Sequence, residues 1–255
     1  MAEVGLLEVD DVAKTFGGLK ALSGITLSVA AGEAVGLVGP NGAGKTTLFN
    51  CLLGLLRPDT GRVCFDGRDL ARLPIYRRAR LGIGRTFQRL ELFAEMSPSQ
   101  HLLVAERARA GTGGLGQDLL NRGGPSGEER RRVARMCELL GLVEVADTPA
   151  HALTLGQGRL VELGRALMTE PKLVMLDEPS SGLDRRETAA LAGMLDRVRA
   201  ESGVAVLLVE HDLEMVQRVV SRLCVLHFGR LIADGPVAAV LADPAVREAY
   251  LGQAS

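Results

Sequence analysis

The chain has 255 residues, 47% hydrophobic and 24% charged, the mix of a soluble globular protein with room for a large core and a subdomain. Its formal charge of −1 lacks the basic excess of a dedicated nucleic-acid binder, and aromatics at 3% leave few platforms for stacking single strands. Cys51, Cys64, Cys137 and Cys224 lie far apart among apolar neighbours, which excludes a metal-ligand spacing or disulfide framework and predicts buried reduced thiols.

The opening residues, MAEVGLLEVDD, have neither the basic nor the long apolar region of a signal peptide. No apolar run is long enough to cross a bilayer, so any membrane role is expected to depend on another chain. Short β-like runs occupy residues 6–9, 25–29 and 34–38; the third leads into a Gly-rich turn and a helical run from Lys45 to about Leu53. A turn at 57–61, a strand at 62–65 and a strand at 83–87 follow.

From about Leu90 to Leu163 the pattern is helical, with amphipathic spacing across 128–140. The glycine-rich stretch between Gly111 and Gly127 reads as a flexible surface loop without chemistry. The last third alternates: strand 173–176, helix 185–201, strand 204–209, a helix from Asp212 and strand 222–227. Uninterrupted apolar strands alternating with helices predict an α/β fold with a parallel sheet covered on both faces, and no internal repeat is present.

Gly39, Pro40, Asn41, Gly42, Ala43, Gly44, Lys45, Thr46 and Thr47 match G-x-x-x-x-G-K-[ST] between the predicted strand and helix. Such glycines let backbone N–H groups surround an anion, and the helix dipole adds positive potential there. Lys45 supplies a charge for the β- and γ-phosphates, and the Thr46 hydroxyl can hold Mg²⁺. This composition yields about one accidental match in 200 such chains.

Asp177 and Glu178 follow a buried strand and precede Pro179, where an open α/β sheet binds ligands. Asp177 is expected to hold Mg²⁺, and Glu178 to polarise the water that attacks the γ-phosphate. Alone, two apolar residues before Asp-Glu mark only a strand end; beside the P-loop they gain meaning. The wide gap between Lys45 and Asp177 exceeds that of a compact kinase or GTPase and leaves room for the helical stretch.

Together these motifs resemble the ATP-binding-cassette (ABC) ATPases over nearly the whole chain. Leu153-Thr154-Leu155-Gly156-Gln157 is similar to that family's signature loop, Gln88 to its Q-loop glutamine, and Ser181-Gly182-Leu183-Asp184 to its D-loop. His211, in Val209-Glu210-His211-Asp212, resembles the switch histidine, and Phe16 stands where an aromatic stacks on adenine. Singly, each has an ordinary structural explanation.

The resemblance implies a P-loop NTPase, RecA-like core (1–89 and 164–255) with a parallel sheet, an N-terminal antiparallel β subdomain and an inserted helical subdomain at about 90–163. It implies ATP and Mg²⁺ as ligands. Catalysis would use Glu178, His211 and Gln88, the metal Thr46, Gln88 and Asp177, and the nucleotide Phe16, the P-loop, Thr154, Gly156, Gln157 and Asp184. It also implies transmembrane permease subunits and a second ATP-binding subunit, self or paralogue, paired head to tail. Each ATP would lie between one chain's P-loop and the other's signature loop. Thr154, Gly156 and a helix beginning near Gly158 would offer donors to the γ-phosphate. A periplasmic or lipoprotein substrate-binding protein would be an indirect partner, with this chain at the cytoplasmic face of the membrane.

The signature departs from the family's commonest form, L-S-G-G-Q, at Thr154, which keeps a hydroxyl, and at Leu155. Gly158 replaces a side chain often found there. Phe16-Gly17-Gly18-Leu19, Gly84-Arg85-Thr86-Phe87-Gln88, Leu92-Phe93-Ala94-Glu95-Met96-Ser97 and the ending Ala249-Tyr250-Leu251-Gly252 resemble the branched-chain amino acid importer ATPases. Urea or amide importers and lipopolysaccharide-export ATPases share much of this pattern. A non-transport ABC ATPase would carry a coiled-coil insertion, a second cassette or basic surfaces, and a small-molecule kinase would lack the signature loop.

Overall fold

A computed structural model describes residues 5–86, 90–111 and 124–251. Two strands open it, β1 (Leu7–Phe16) and β2 (Leu19–Val29), joined at Gly17–Gly18. Both are longer than the sequence pattern predicts. Positive-φ glycines at 17 and 18 close the hairpin, and a register shift at Asp11, itself at φ 48°, breaks the alternation that marks a strand. With β4 (Thr60–Phe65) and β5 (Arg68–Asp69) they form an antiparallel sheet in the order β2-β1-β4-β5.

The second sheet contains β3 (Ala34–Val38), β6 (Ile83–Arg85), β7 (Leu173–Asp177), β8 (Ala205–Val209), β9 (Arg222–His227) and β10 (Arg230–Pro236). Its order is β10-β9-β3-β8-β7-β6, parallel throughout except for the antiparallel edge strand β10. Alternate residues of each central strand serve opposite cores. Val174, Leu176, Val206 and Leu208 face one; Leu173, Met175, Ala205 and Leu207 face the other. This two-sided burial is why the strands read as continuous apolar runs.

Helix α1 (Lys45–Leu53) lies in the second core with the antiparallel sheet. Beyond it, α2 (Ile75–Arg80) presents Arg78, which donates to the carbonyls of Cys51 and Leu52 near the C-terminus of α1. The inserted region holds α3 (Pro98–Ala110) and α4 (Gly127–Leu139), each begun by a capping box, Ser97/Gln100 and Ser126/Glu129. Helix α5 (Leu155–Leu167) packs so near them that a Cβ on Gly164 would meet Leu102 and Leu140 at 2.7 Å.

The remaining helices are α6 (Arg185–Ser202), α7 (Leu213–Val219), α8 (Val237–Ala242) and α9 (Pro244–Leu251). The expected strand at 83–87 extends only to Arg85; Phe87 lies outside the described residues, as do Gln88 and positions 112–123 of the glycine-rich stretch. All four cysteines are buried thiols.

Candidate active site

The loop between β3 and α1 is shaped by what a side chain would strike. A Cβ on Gly39 would lie 2.1 Å from the Leu226 carbonyl oxygen, and one on Gly44 2.6 Å from that of Ala21, so strands β9 and β2 press on the loop from two sides. Both glycines also hold positive φ, 148° and 106°. No side chain caps α1, which leaves its first N–H groups for an anion. Thr46 is exposed at this end. The buried Lys45 ammonium donates to the carbonyls of Gly39 (2.5 Å) and Pro40 (3.1 Å). Burial lowers its pKa, while the charges of Glu178 and Asp177 act in the opposite sense.

Strands β7 and β8 end side by side, with Asp177 paired to Val209. Burial, then Glu178 and Glu210, raise the Asp177 carboxyl to about 6, with Lys45 opposing. Glu178 adopts φ 46°, a left-handed conformation unusual for a residue with a side chain, and its N–H donates to the Val209 carbonyl at 2.8 Å. That bond fixes the residue across the strand ends. His211 is 60% exposed, its Nδ1 lying 3.9 Å from Glu178 Oε1 and 3.7 Å from Glu210 Oε2.

Among the described residues no cluster of three or more His, Cys, Asp or Glu side chains forms a metal site. The donor set nevertheless fits Mg²⁺, which favours one or two carboxylates, a hydroxyl, water and phosphate over an all-protein cage. Asp177 and Thr46 supply such donors.

The helix of the signature segment starts earlier than the sequence reading placed it, at Leu155 rather than near Gly158. Thr154 Oγ1 accepts from Gln157 N–H at 3.2 Å and Gln157 Oε1 accepts from Thr154 N–H at 2.9 Å, a reciprocal cap. The spacing Thr-x-x-Gln was the available signal. Gly158 is buried, and a Cβ there would lie 2.7 Å from Leu90. Leu155 also makes a contact of its own, since a Cβ on Gly182 would lie 2.9 Å from its Cδ2.

Asp184 caps α6: Oδ1 accepts from the N–H groups of Arg186 and Glu187. Phe16 ends β1 at 44% exposure, with the Lys14 ammonium 5.5 Å from its ring centroid.

Three buried charges play parts that the sequence reading did not assign. Glu210 is fully buried between the two strand ends. Glu162 and Arg159 pair at 3.2 Å inside α5; Glu162 accepts from Glu91 N–H, and Arg159 reaches the Ser181 carbonyl at 3.5 Å.

A glycine-rich anion loop on a helix N-terminus, facing two carboxylates and a histidine at the carboxyl ends of parallel strands, defines a P-loop nucleotide-binding protein. Residues 22–181 match the ABC transporter family, and residues 230–255 match the branched-chain amino acid ATP-binding cassette transporter family. The chain is 39% identical over 252 residues to the high-affinity branched-chain amino acid transport ATP-binding protein BraF of Pseudomonas aeruginosa, covering 98% of each. It is 39% identical over 254 residues to the equivalent protein LivG of Escherichia coli, again covering 98% of each. Among solved structures, the ATP-binding cassette MJ1267 of an ABC transporter superposes with a TM-score of 0.84 at 34% identity, over 97% of this chain and 99% of that one. The chain therefore belongs to the ABC transporter family and is an ATP-binding cassette ATPase.

Proposed function

We propose that this chain is the ATP-hydrolysing subunit that drives import of branched-chain amino acids. The observation that carries this reading is the match of residues 230–255 to the branched-chain amino acid family, on a chain alike from end to end to BraF and LivG. None of the described helices is long and apolar enough to cross a membrane, which fits a motor that works on separate permease subunits at the cytoplasmic face. Its second ATP-binding subunit, self or paralogue, docks head to tail, and a periplasmic or lipoprotein binding protein delivers the amino acid.

In this reading the core comprises 1–89 and 164–255, and about 90–163 is the helical insertion. Phe16 stacks on adenine. The P-loop N–H groups from Gly39 to Thr47, with Pro40, Asn41, Gly42, Ala43 and Gly44 shaping the turn, hold the β-phosphate. Lys45 leaves the carbonyls of Gly39 and Pro40 to meet the β- and γ-oxygens, a short move for a flexible ammonium already at the loop. Thr46, Asp177 and Gln88 would hold Mg²⁺, and the ion would supply charge neutralisation to the phosphates.

Glu178 orients and deprotonates the attacking water, and His211 contacts the γ-phosphate. Support for this pair comes from their 3.9 Å separation at adjoining strand ends. Thr154, Gly156 and Gln157 donate to the γ-phosphate on the partner's P-loop, and Asp184 stands at the same junction. Because Thr154 uses an oxygen lone pair for its cap, its hydroxyl hydrogen stays available to donate.

The test is reconstitution of the chain with its permease and second ATPase subunit in liposomes, with binding protein and radiolabelled leucine or urea outside. ATP-dependent leucine uptake that Glu178→Gln abolishes is expected. Uptake of urea instead, or of neither, would overturn the substrate assignment.

A further inference from the structure

Glu210 immediately follows β8 and is 0% exposed. Its Oε1 accepts from Ser180 N–H at 2.9 Å, and its Oε2 accepts from His211 N–H at 3.0 Å and Asp212 N–H at 3.3 Å. Ser180 belongs to the turn behind Glu178, where the Glu178 carbonyl accepts from Ser181 N–H at 3.1 Å. One carboxylate thus holds two different turns, one behind the carboxylate at the end of β7 and one carrying the histidine at the end of β8.

A fully buried carboxylate is expensive to desolvate and is retained only where its oxygens are satisfied. Among the described residues no lysine or arginine forms a salt bridge with Glu210; the His211 ring lies 3.7 Å away, and the nearby Asp177 carboxyl adds repulsion rather than relief. Three backbone N–H dipoles carry most of the compensation. A residue serving only to fill space there would need no charge. Both oxygens are required because the donors come from opposite sides.

We propose that Glu210 is a positioning residue for ATP hydrolysis, clamping the turn behind Glu178 to the turn bearing His211 so that the two keep one fixed relation. It acts through those residues and touches no nucleotide. This rests on the reading of Glu178 as the base and His211 as the γ-phosphate contact.

Glu210→Gln in the full-length chain tests the clamp, because glutamine keeps the shape but offers one acceptor oxygen for two sets of donors. Hydrogen–deuterium exchange should quicken together in peptides covering 178–183 and 209–214, with the P-loop peptide unchanged. Affinity for a trinitrophenyl-ATP probe should stay within about threefold. With Mg-ATP, kcat should fall about 10–100-fold at nearly constant KM, the scale of a small misplacement of catalytic groups. Glu210→Asp keeps the charge and shortens the reach, so it should show the same pattern more mildly, and it serves as the second variant if glutamine prevents folding.

Loosening of 209–214 alone, wild-type kcat, or equal losses in P-loop protection and ATP affinity would each overturn the clamp. Glu178→Gln is measured in parallel. If that variant hydrolyses normally, the assignment of the base has failed, and the exchange data still decide whether Glu210 joins the two turns.

Discussion

Replacing Asp177 with asparagine is expected to stabilise the nucleotide-free chain above pH 6 while abolishing Mg-dependent hydrolysis. Asp177 stands half-buried at the end of β7 beside Glu178 and near Glu210, and burial, then those two charges, raise its carboxyl from the ordinary 3.8 to about 6 against partial relief from Lys45. A carboxyl with a folded pKa above its unfolded one holds its proton more tightly when folded. Its contribution is therefore favourable below about pH 4, declines as the pH rises through 6, and is lost above that. The interval from 3.8 to about 6 corresponds to at most about 3 kcal/mol. Solvent reaching the site reduces this, so about 1–3 kcal/mol is expected. Urea unfolding of wild type and Asp177→Asn without nucleotide, at intervals from pH 4.5 to 8, reads the difference directly. Groups that titrate alike in both proteins cancel. The variant should be the more stable at pH 8, with the gap closing toward pH 4.5. A variant less stable than wild type at pH 8, or a gap that widens on acidification, would refute the reasoning.

Lys45→Ala should weaken productive nucleotide binding by about 3–4 kcal/mol, read by calorimetric titration. Glu178→Gln should bind ATP normally but release no phosphate, leaving an ATP-bound dimer on size exclusion. Glu162→Ala removes a carboxylate paired with the buried Arg159 and an acceptor for Glu91 N–H, so it should destabilise by about 3 kcal/mol and lower Tm by roughly 10 °C in scanning fluorimetry. Gly164→Ala drives a methyl into the fully buried Leu102 and Leu140 and should destabilise by about 1–2 kcal/mol after its gain in helix propensity. Gly158→Ala should be near neutral, since the partly exposed Leu90 can rotate away.

What could be read from the sequence was what contiguous residues determine. The P-loop needs glycines, a lysine and a hydroxyl within nine positions, and β3, β7 and β8 announce themselves because burial on both faces keeps their residues apolar, up to Asp177 at the end of β7. Strands with one wet face were harder. Beyond Val9 and before Ile25, β1 and β2 carry Asp10, Asp11, Lys14 and Lys20 and contain register shifts, so only their apolar ends stood out. Strand β10 and helices α2, α8 and α9 are short and only partly buried. The start of α5 was legible in Thr154 and Gln157, yet the glycine at 158 drew the boundary three residues too late. Glu210 had no signal of its own. Its meaning depends on β7 and β8 being neighbours, a fact of topology.

The same topology joins the two ends of the chain's chemistry. At one end, Leu155 and Gly156 rest against Gly182 and Glu187, and Arg159 reaches the Ser181 carbonyl, so the signature helix leans on the turn that follows Glu178. At the other, Ser180 is held by Glu210, and Glu210 by its bonds to the His211 segment. In the proposed head-to-tail dimer the signature end serves one ATP while Glu178 and His211 serve the other. A displacement of the signature helix by loss of the partner's ATP would press on the turn behind this chain's own base. The linkage resists parting because Arg159 is buried and paired with Glu162: pulling the helix off the turn would take the Ser181 carbonyl, at 3.5 Å, away from a desolvated guanidinium. Moving helix and turn together would forfeit no such contact, so in the proposed dimer a shift at one site would be passed to the other through contiguous packed contacts within a single chain.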